Sequence, residues 1–242
     1  MPFLLSTLAG LSTLIGYFFI YLNNKNNRVL VSSLGFAAGV MFFISIFDLI
    51  PESIKCFSEY YFLFFSLLLV FLFLTIGVMT SSFIERKMFK DTSSLYKVGM
   101  ISMLALIIHN IPEGIVTFLT SNNNIKLGIT LSIAIALHNI PEGISISVPI
   151  YYSTGSKIKA FLYTLVSGMS ELIGAILAFL LLNGLNNNLF LGCLYAFTSG
   201  IMFYISLLEL LPSSLEYKNR VYTYISFIFG VVFIYISILL IQ

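Results

Sequence analysis

Tryptophan is absent from this chain of 242 residues, cysteine and histidine occur twice each, and only 9% of positions are charged. Soluble domains carry roughly 25% charged residues, so an ordinary soluble domain is excluded. Two scattered cysteines, Cys56 and Cys193, allow at most one bridge and are expected to act as apolar fillers. The first apolar run has no basic residue ahead of it and no small-residue cleavage site after it. It therefore reads as a membrane span rather than a removable leader. No nucleic-acid partner is expected.

What the chain has instead is 59% hydrophobic residues and a mean hydropathy of +1.01. Crossing a hydrocarbon core takes about 20 apolar residues per helix. Eight runs qualify, at about 3–22, 30–50, 60–83, 98–119, 126–151, 158–182, 189–211 and 222–241. A closed barrel would show alternating strands of about 10 residues, so the expected fold is an all-α polytopic membrane protein. Short connections leave no room for a separate soluble domain. Lys25, Arg28, Arg86, Lys87, Lys90, Lys97, Lys157, Lys159, Lys218 and Arg220 lie on alternate connections, and only Lys55 and Lys126 lie on the others. That asymmetry places both termini outside the cytoplasm, the 84–97 connection inside it, and the two cysteines near the outer face.

The chain also repeats itself. "GVMFFISIFDLIPES" at 39–53 matches "GIMFYISLLELLPSS" at 200–214, aligning Asp48 with Glu209 and Pro51 with Pro212. "AGLSTLIG" at 9–16 matches "SGMSELIG" at 167–174, and Gly77 matches Gly230. The first repeat covers about 3–83, a central helix pair about 98–151, and the second repeat about 158–241. Counterpart spans run in opposite directions, giving a 3+2+3 arrangement about an axis in the membrane plane. Inverted repeats with a site near the midplane are a transporter signature.

The central pair carries "HNIPEG" twice, at 109–114 and 138–143, and these copies hold both histidines. Residues four apart share a helix face, so His109 aligns with Glu113, and His138 with Glu142. Asn110 and Asn139 stand beside them. Two such helices facing one another would surround a space with two imidazoles, two carboxylates and two amide oxygens, enough for two divalent ions. Pro112 and Pro141 lack an N–H and are expected to kink their helices there. Glu113, Glu142 and Glu171 together would cost roughly 8–10 kcal/mol if ionised and unpaired at the bilayer centre. Within the spans Lys occurs only at the very start of two of them, as Lys126 and Lys159, and none lies mid-span to neutralise the glutamates, so a proton or a cation is required.

Other candidates are less specific. Glu171 lies mid-span among small residues and is expected to face the same space. Asp48 and Glu209, near the ends of their spans, are candidate relays at the outer and inner mouths. Met41 and Met202 are equivalent in the repeat, either as soft ligands on the pathway or as core residues. Ser132, Ser145, Thr117 and Thr164 either line the route or bond their own backbone.

The paired "HNIPEG" motifs, "SGMSELIGA" and "GFAAGVMFFISIFDLIPES" resemble the ZIP (Zrt/Irt-like) family of metal transporters across all eight spans. The resemblance implies a binuclear centre between the fourth and fifth helices that moves divalent metals into the cytoplasm. Its implied ligands are His109, Asn110, Glu113, His138, Asn139, Glu142 and Glu171. Asp48 stands where such sequences usually read Glu, and the cytoplasmic connection lacks the histidines of many eukaryotic members. Imidazole with oxygen and no thiolate suits Zn²⁺, Fe²⁺, Mn²⁺ or Co²⁺ better than Cu⁺. The expected reading is zinc-first uptake across the cytoplasmic membrane, with transported metal as the only bound ion and no catalytic cofactor. The lipid bilayer is the expected surrounding and a homodimer the candidate assembly. The rival is an intramembrane metal-dependent hydrolase. It fits less well, because catalytic zinc usually keeps three protein ligands and a water, and HNIPE offers one His per helix. A metal-selective channel with the same ligands is a further alternative.

Overall fold

A computed structural model describes residues 1–21, 26–88, 94–181, 188–217 and 219–241. Lys25, Lys90 and Lys218 of the basic set lie outside these residues. Among the described residues, eight helices are long and apolar enough to cross a membrane: α1 (Pro2–Tyr21), α2 (Asn27–Ser58), α3 (Leu63–Lys87), α4 (Leu95–Asn123), α5 (Ile125–Thr154), α6 (Lys157–Leu180), α7 (Asn188–Glu216) and α8 (Arg220–Leu240). No strand occurs among the described residues. The asparagine-rich turns have a local task. The side chains of Asn26 and Asn124 accept from the first free N–H groups of α2 and α5, and Ser156 does the same for α6. Gly155, in the left-handed region at φ 69°, closes α5.

Two helices outrun their expected limits. α2 and α7 continue to Ser58 and Glu216, well past Asp48 and Glu209. Each widens into a π turn, at Ser45–Leu49 and Ile205–Leu210, immediately before a segment that carries Pro51 or Pro212. A proline there already leaves one carbonyl without a helical donor, and a π turn absorbs the mismatch. Asp48 and Glu209 are thus inside widened helix rather than at helix ends.

α5 runs through the interior, against α1, α2, α4 and α6. α2 pairs with α8 and α3 with α7, and α3 and α8 are the least covered helices. Glycines set these pairings by letting backbones touch. A methyl on Gly39 would meet the carbonyl of Phe227, and one on its sequence counterpart Gly200 would meet that of Leu74, both at 2.1 Å. Matching hydroxyls follow the same rule: Ser45 donates to the Ser199 carbonyl and Ser206 to that of Ala38. Ser53 donates to the Gly192 carbonyl and Ser214 to that of Val31. With little hydrophobic drive between helices in lipid, close backbone contact and such bonds are what hold a bundle together.

Candidate metal centre

α4 and α5 bring the two HNIPEG copies face to face, and both helices run unbroken through Pro112 and Pro141. Oε1 of Glu113 lies 2.8 Å from Nε2 of His138 and 3.1 Å from Nε2 of His109. His109 Nε2 is also 3.4 Å from Oε1 of Glu142. Ligand atoms bound to one zinc ion at about 2.0–2.2 Å in a tetrahedron stand roughly 3.3 Å apart, so the cluster has the dimensions of a metal site. One donor atom from each of His109, Glu113 and His138 falls within 4.8 Å of the others. No Lys or Arg among the described residues pairs with any of these four groups.

The neighbours of the cluster are held by the same close packing. Gly143 presses on the Thr13 carbonyl of α1, and Gly114 on the Glu171 carbonyl of α6. These approaches let Asn139 donate to the Ala9 carbonyl at 2.9 Å and Asn110 to the Ser167 carbonyl at 3.2 Å. Asn139 also donates to Oε1 of Glu171, which connects α6 to the centre. With both amide nitrogens committed to acceptors, the two amide oxygens point the other way. Oδ1 of Asn110 and Asn139, Oε2 of Glu113 and Glu171 and both Glu142 oxygens are buried without a hydrogen-bond partner. Buried polar atoms are normally satisfied, so this concentration of orphaned oxygens fits a cation beside the His109, Glu113 and His138 cluster.

The remaining sequence candidates fall apart spatially. Asp48 is within electrostatic reach of His138 and Glu113, and of Glu52 one turn further along α2. Glu209 lies instead beside Glu85 and Lys97. Met41 and Met202 are fully buried in an apolar cluster with Leu106 and Ile144. Ser132, Ser145 and Thr164 bond carbonyls of their own helices, whereas the Thr117 hydroxyl is buried without a partner. Cys56 and Cys193 are both free. Sequence reasoning missed the part of α1, whose Ala9 and Thr13 carbonyls position Asn139 and Gly143. The glycine–x₅–glycine spacing of "AGLSTLIG", repeated in α6, was the available signal.

Fold and site together define a polytopic helical membrane protein with a cation-sized cluster of imidazole and carboxylate buried among its helices. The family profile described as "ZIP Zinc transporter" matches residues 89–238. The chain is 35% identical over 254 residues to the zinc transporter ZupT of Streptococcus mutans, covering 98% of this chain and 96% of that one. It is 36% identical to ZupT of Clostridium perfringens over 277 residues, with 99% and 95% covered. It is 38% identical to ZupT of Oceanobacillus iheyensis over 261 residues, with 99% and 97% covered. The chain belongs to the ZIP zinc transporter family, a family of transporters and not of enzymes.

Proposed function

We propose that this protein imports divalent metal ions across the cytoplasmic membrane, zinc first, with Fe²⁺, Mn²⁺ and Co²⁺ as further cargo. The observation that carries this reading is the convergence of His109, Glu113, His138 and Glu142, joined by approaches of 2.8 Å (Glu113 to His138), 3.1 Å (Glu113 to His109) and 3.4 Å (His109 to Glu142), with no Lys or Arg paired to them among the described residues. An incoming ion exchanges its water for Nε2 of the two histidines and for the glutamate oxygens. The orphaned oxygens of Asn110, Asn139, Glu142 and Glu171 supply the donors for a second ion, so that Glu142 bridges the two. Bridging carboxylates leave each ion few bonds of its own, which favours release over trapping. Asp48 supplies the ion from the outer side, and Glu209 receives it further along.

The inverted 3+2+3 arrangement, with both termini outside, is part of the same proposal. It is supported by the paired contacts of counterpart residues: Gly39 and Gly200, Gly114 and Gly143, Asn110 and Asn139, Ser45 and Ser206. A metal-dependent hydrolase is disfavoured by the family and by the absence of an HExxH arrangement. The test is uptake of radioactive zinc into proteoliposomes by the native protein, Glu142→Ala and His138→Ala. Saturable uptake abolished by both changes supports the reading, and undiminished uptake of every metal in both variants overturns it.

A further inference from the structure

Near the start of α4, Lys97 reaches across to Glu85 on α3, and the Tyr204 hydroxyl of α7 donates to the same carboxylate. Glu209 on α7 lies beside the same carboxylate. Lys97 and Glu85 keep 27% and 22% of their side-chain surface exposed, while Tyr204 and Glu209 are buried. Three helices therefore meet on one half-sheltered ion pair. Elsewhere α4 packs most broadly on α5 and α6, less on α7 and little on α3. The seam between α4 and α7 even contains a wholly apolar crevice of about 330 Å³, lined in part by Ile108, Pro112, Leu177 and Phe197. Polar linkage at Lys97 is thus a principal tie between the helix carrying His109 and the α3–α7 pair.

Two hydroxyls stand further into the spans than this pair, one on α3 and one on α4. Ser81, one turn before Glu85 on α3, and Ser102, on the α4 face that carries His109 seven residues later, are buried with no hydrogen-bond partner. A serine in mid-helix ordinarily bonds the carbonyl four residues back, and a dry unpaired hydroxyl is costly. Both therefore mark a polar route. Along α4, the stretch from Lys97 to His109 spans about 18 Å.

We propose that the Lys97–Glu85 pair, backed by Tyr204 and Glu209, is a latch closing the mouth through which the ion leaves. The inference rests on the transport reading above. The ammonium is a compact single charge on a flexible stem, so it can swing away without moving a helix. A departing divalent ion, with twice the charge, competes for the same two carboxylates and displaces it. The cargo itself opens the latch, and Lys97 reseats when the ion has gone. In the absence of metal the route stays closed.

The experiment is thiol labelling of Ser102→Cys in a Cys56→Ala, Cys193→Ala background that still takes up zinc. A membrane-impermeant reagent is applied without metal from the face bearing the 84–97 connection. Labelling is expected to be slow with Lys97 and about tenfold faster with Lys97→Met or Glu85→Gln, within the usual range for coupled equilibria. It should be slow again with Lys97→Arg, which keeps the charge. Unchanged labelling in Lys97→Met and Glu85→Gln overturns the latch. Fast labelling in Lys97→Arg as well also overturns it, because packing rather than charge would then be responsible. This readout needs no zinc, so it can fail while the uptake assay succeeds, and the reverse.

Discussion

Replacing Gly143 by alanine tests whether backbone contact between α1 and α5 builds the metal centre. The added methyl would stand 1.9 Å from the Thr13 carbonyl oxygen, where ordinary contact begins at 3.4 Å. The obstacle is backbone, with no side chain to swing aside, so the helices must part by about 1.5 Å or distort, as for other overpacked sites. Separation of that size breaks the 2.9 Å bond from Asn139 to the Ala9 carbonyl and frees the amide that aims Oδ1 inward. Overpacking costs typically 1–3 kcal/mol. Losing the support of a ligand typically costs 10–100-fold in metal affinity or activity. Thermal unfolding in detergent and zinc uptake in proteoliposomes should both show the loss, and Gly114→Ala, which meets the Glu171 carbonyl at 1.9 Å, should behave alike. Gly192→Ala is the control. Its methyl would first meet side-chain atoms of Cys56 and Phe57 at 3.2 Å, which need to give by only a few tenths of an ångström, so its effect should be much smaller. Native uptake and native melting in Gly143→Ala would refute the claim that close approach positions the site.

Three further outcomes follow from the same contacts. Asn139→Leu removes the donor to both Ala9 and Glu171 and leaves a buried carboxylate unpaired. It should cost about 1–3 kcal/mol by unfolding and abolish uptake, whereas an unfolding midpoint equal to the native one would contradict the assigned bonds. Cys56→Ala with Cys193→Ala should take up zinc normally, and reductant should leave the native protein's uptake unchanged, because both thiols are free. Lowering the pH on the side of uptake should raise the zinc concentration needed for half-maximal transport, since imidazole and carboxylate bind metal only when deprotonated. A pH-independent half-saturation would place the site on other residues.

The membrane class, the number of spans and the candidate ligands were all legible in the chain. Apolar length and missing charge are local properties, and the i, i+4 spacing of His109 with Glu113 and of His138 with Glu142 follows from helix geometry alone. The cost of isolated carboxylates in lipid did the rest, because three uncompensated glutamates demand a cation or a proton whatever the packing. Tertiary structure decided what spacing cannot carry. It made Glu113, rather than each motif's own glutamate, the carboxylate shared by both histidines, a relation between two helices. It turned the asparagine amides toward α1 and α6 and so fixed the direction of their oxygens. It placed Asp48 toward the centre and Glu209 beside Glu85 and Lys97, although the two occupy equivalent places in the repeat. The widened turns around them were also invisible, since a π turn adds one residue without changing composition. Sequence by itself determined what each helix offers. Which offers meet depends on glycine-sized gaps between backbones, and those exist only when all eight helices are packed.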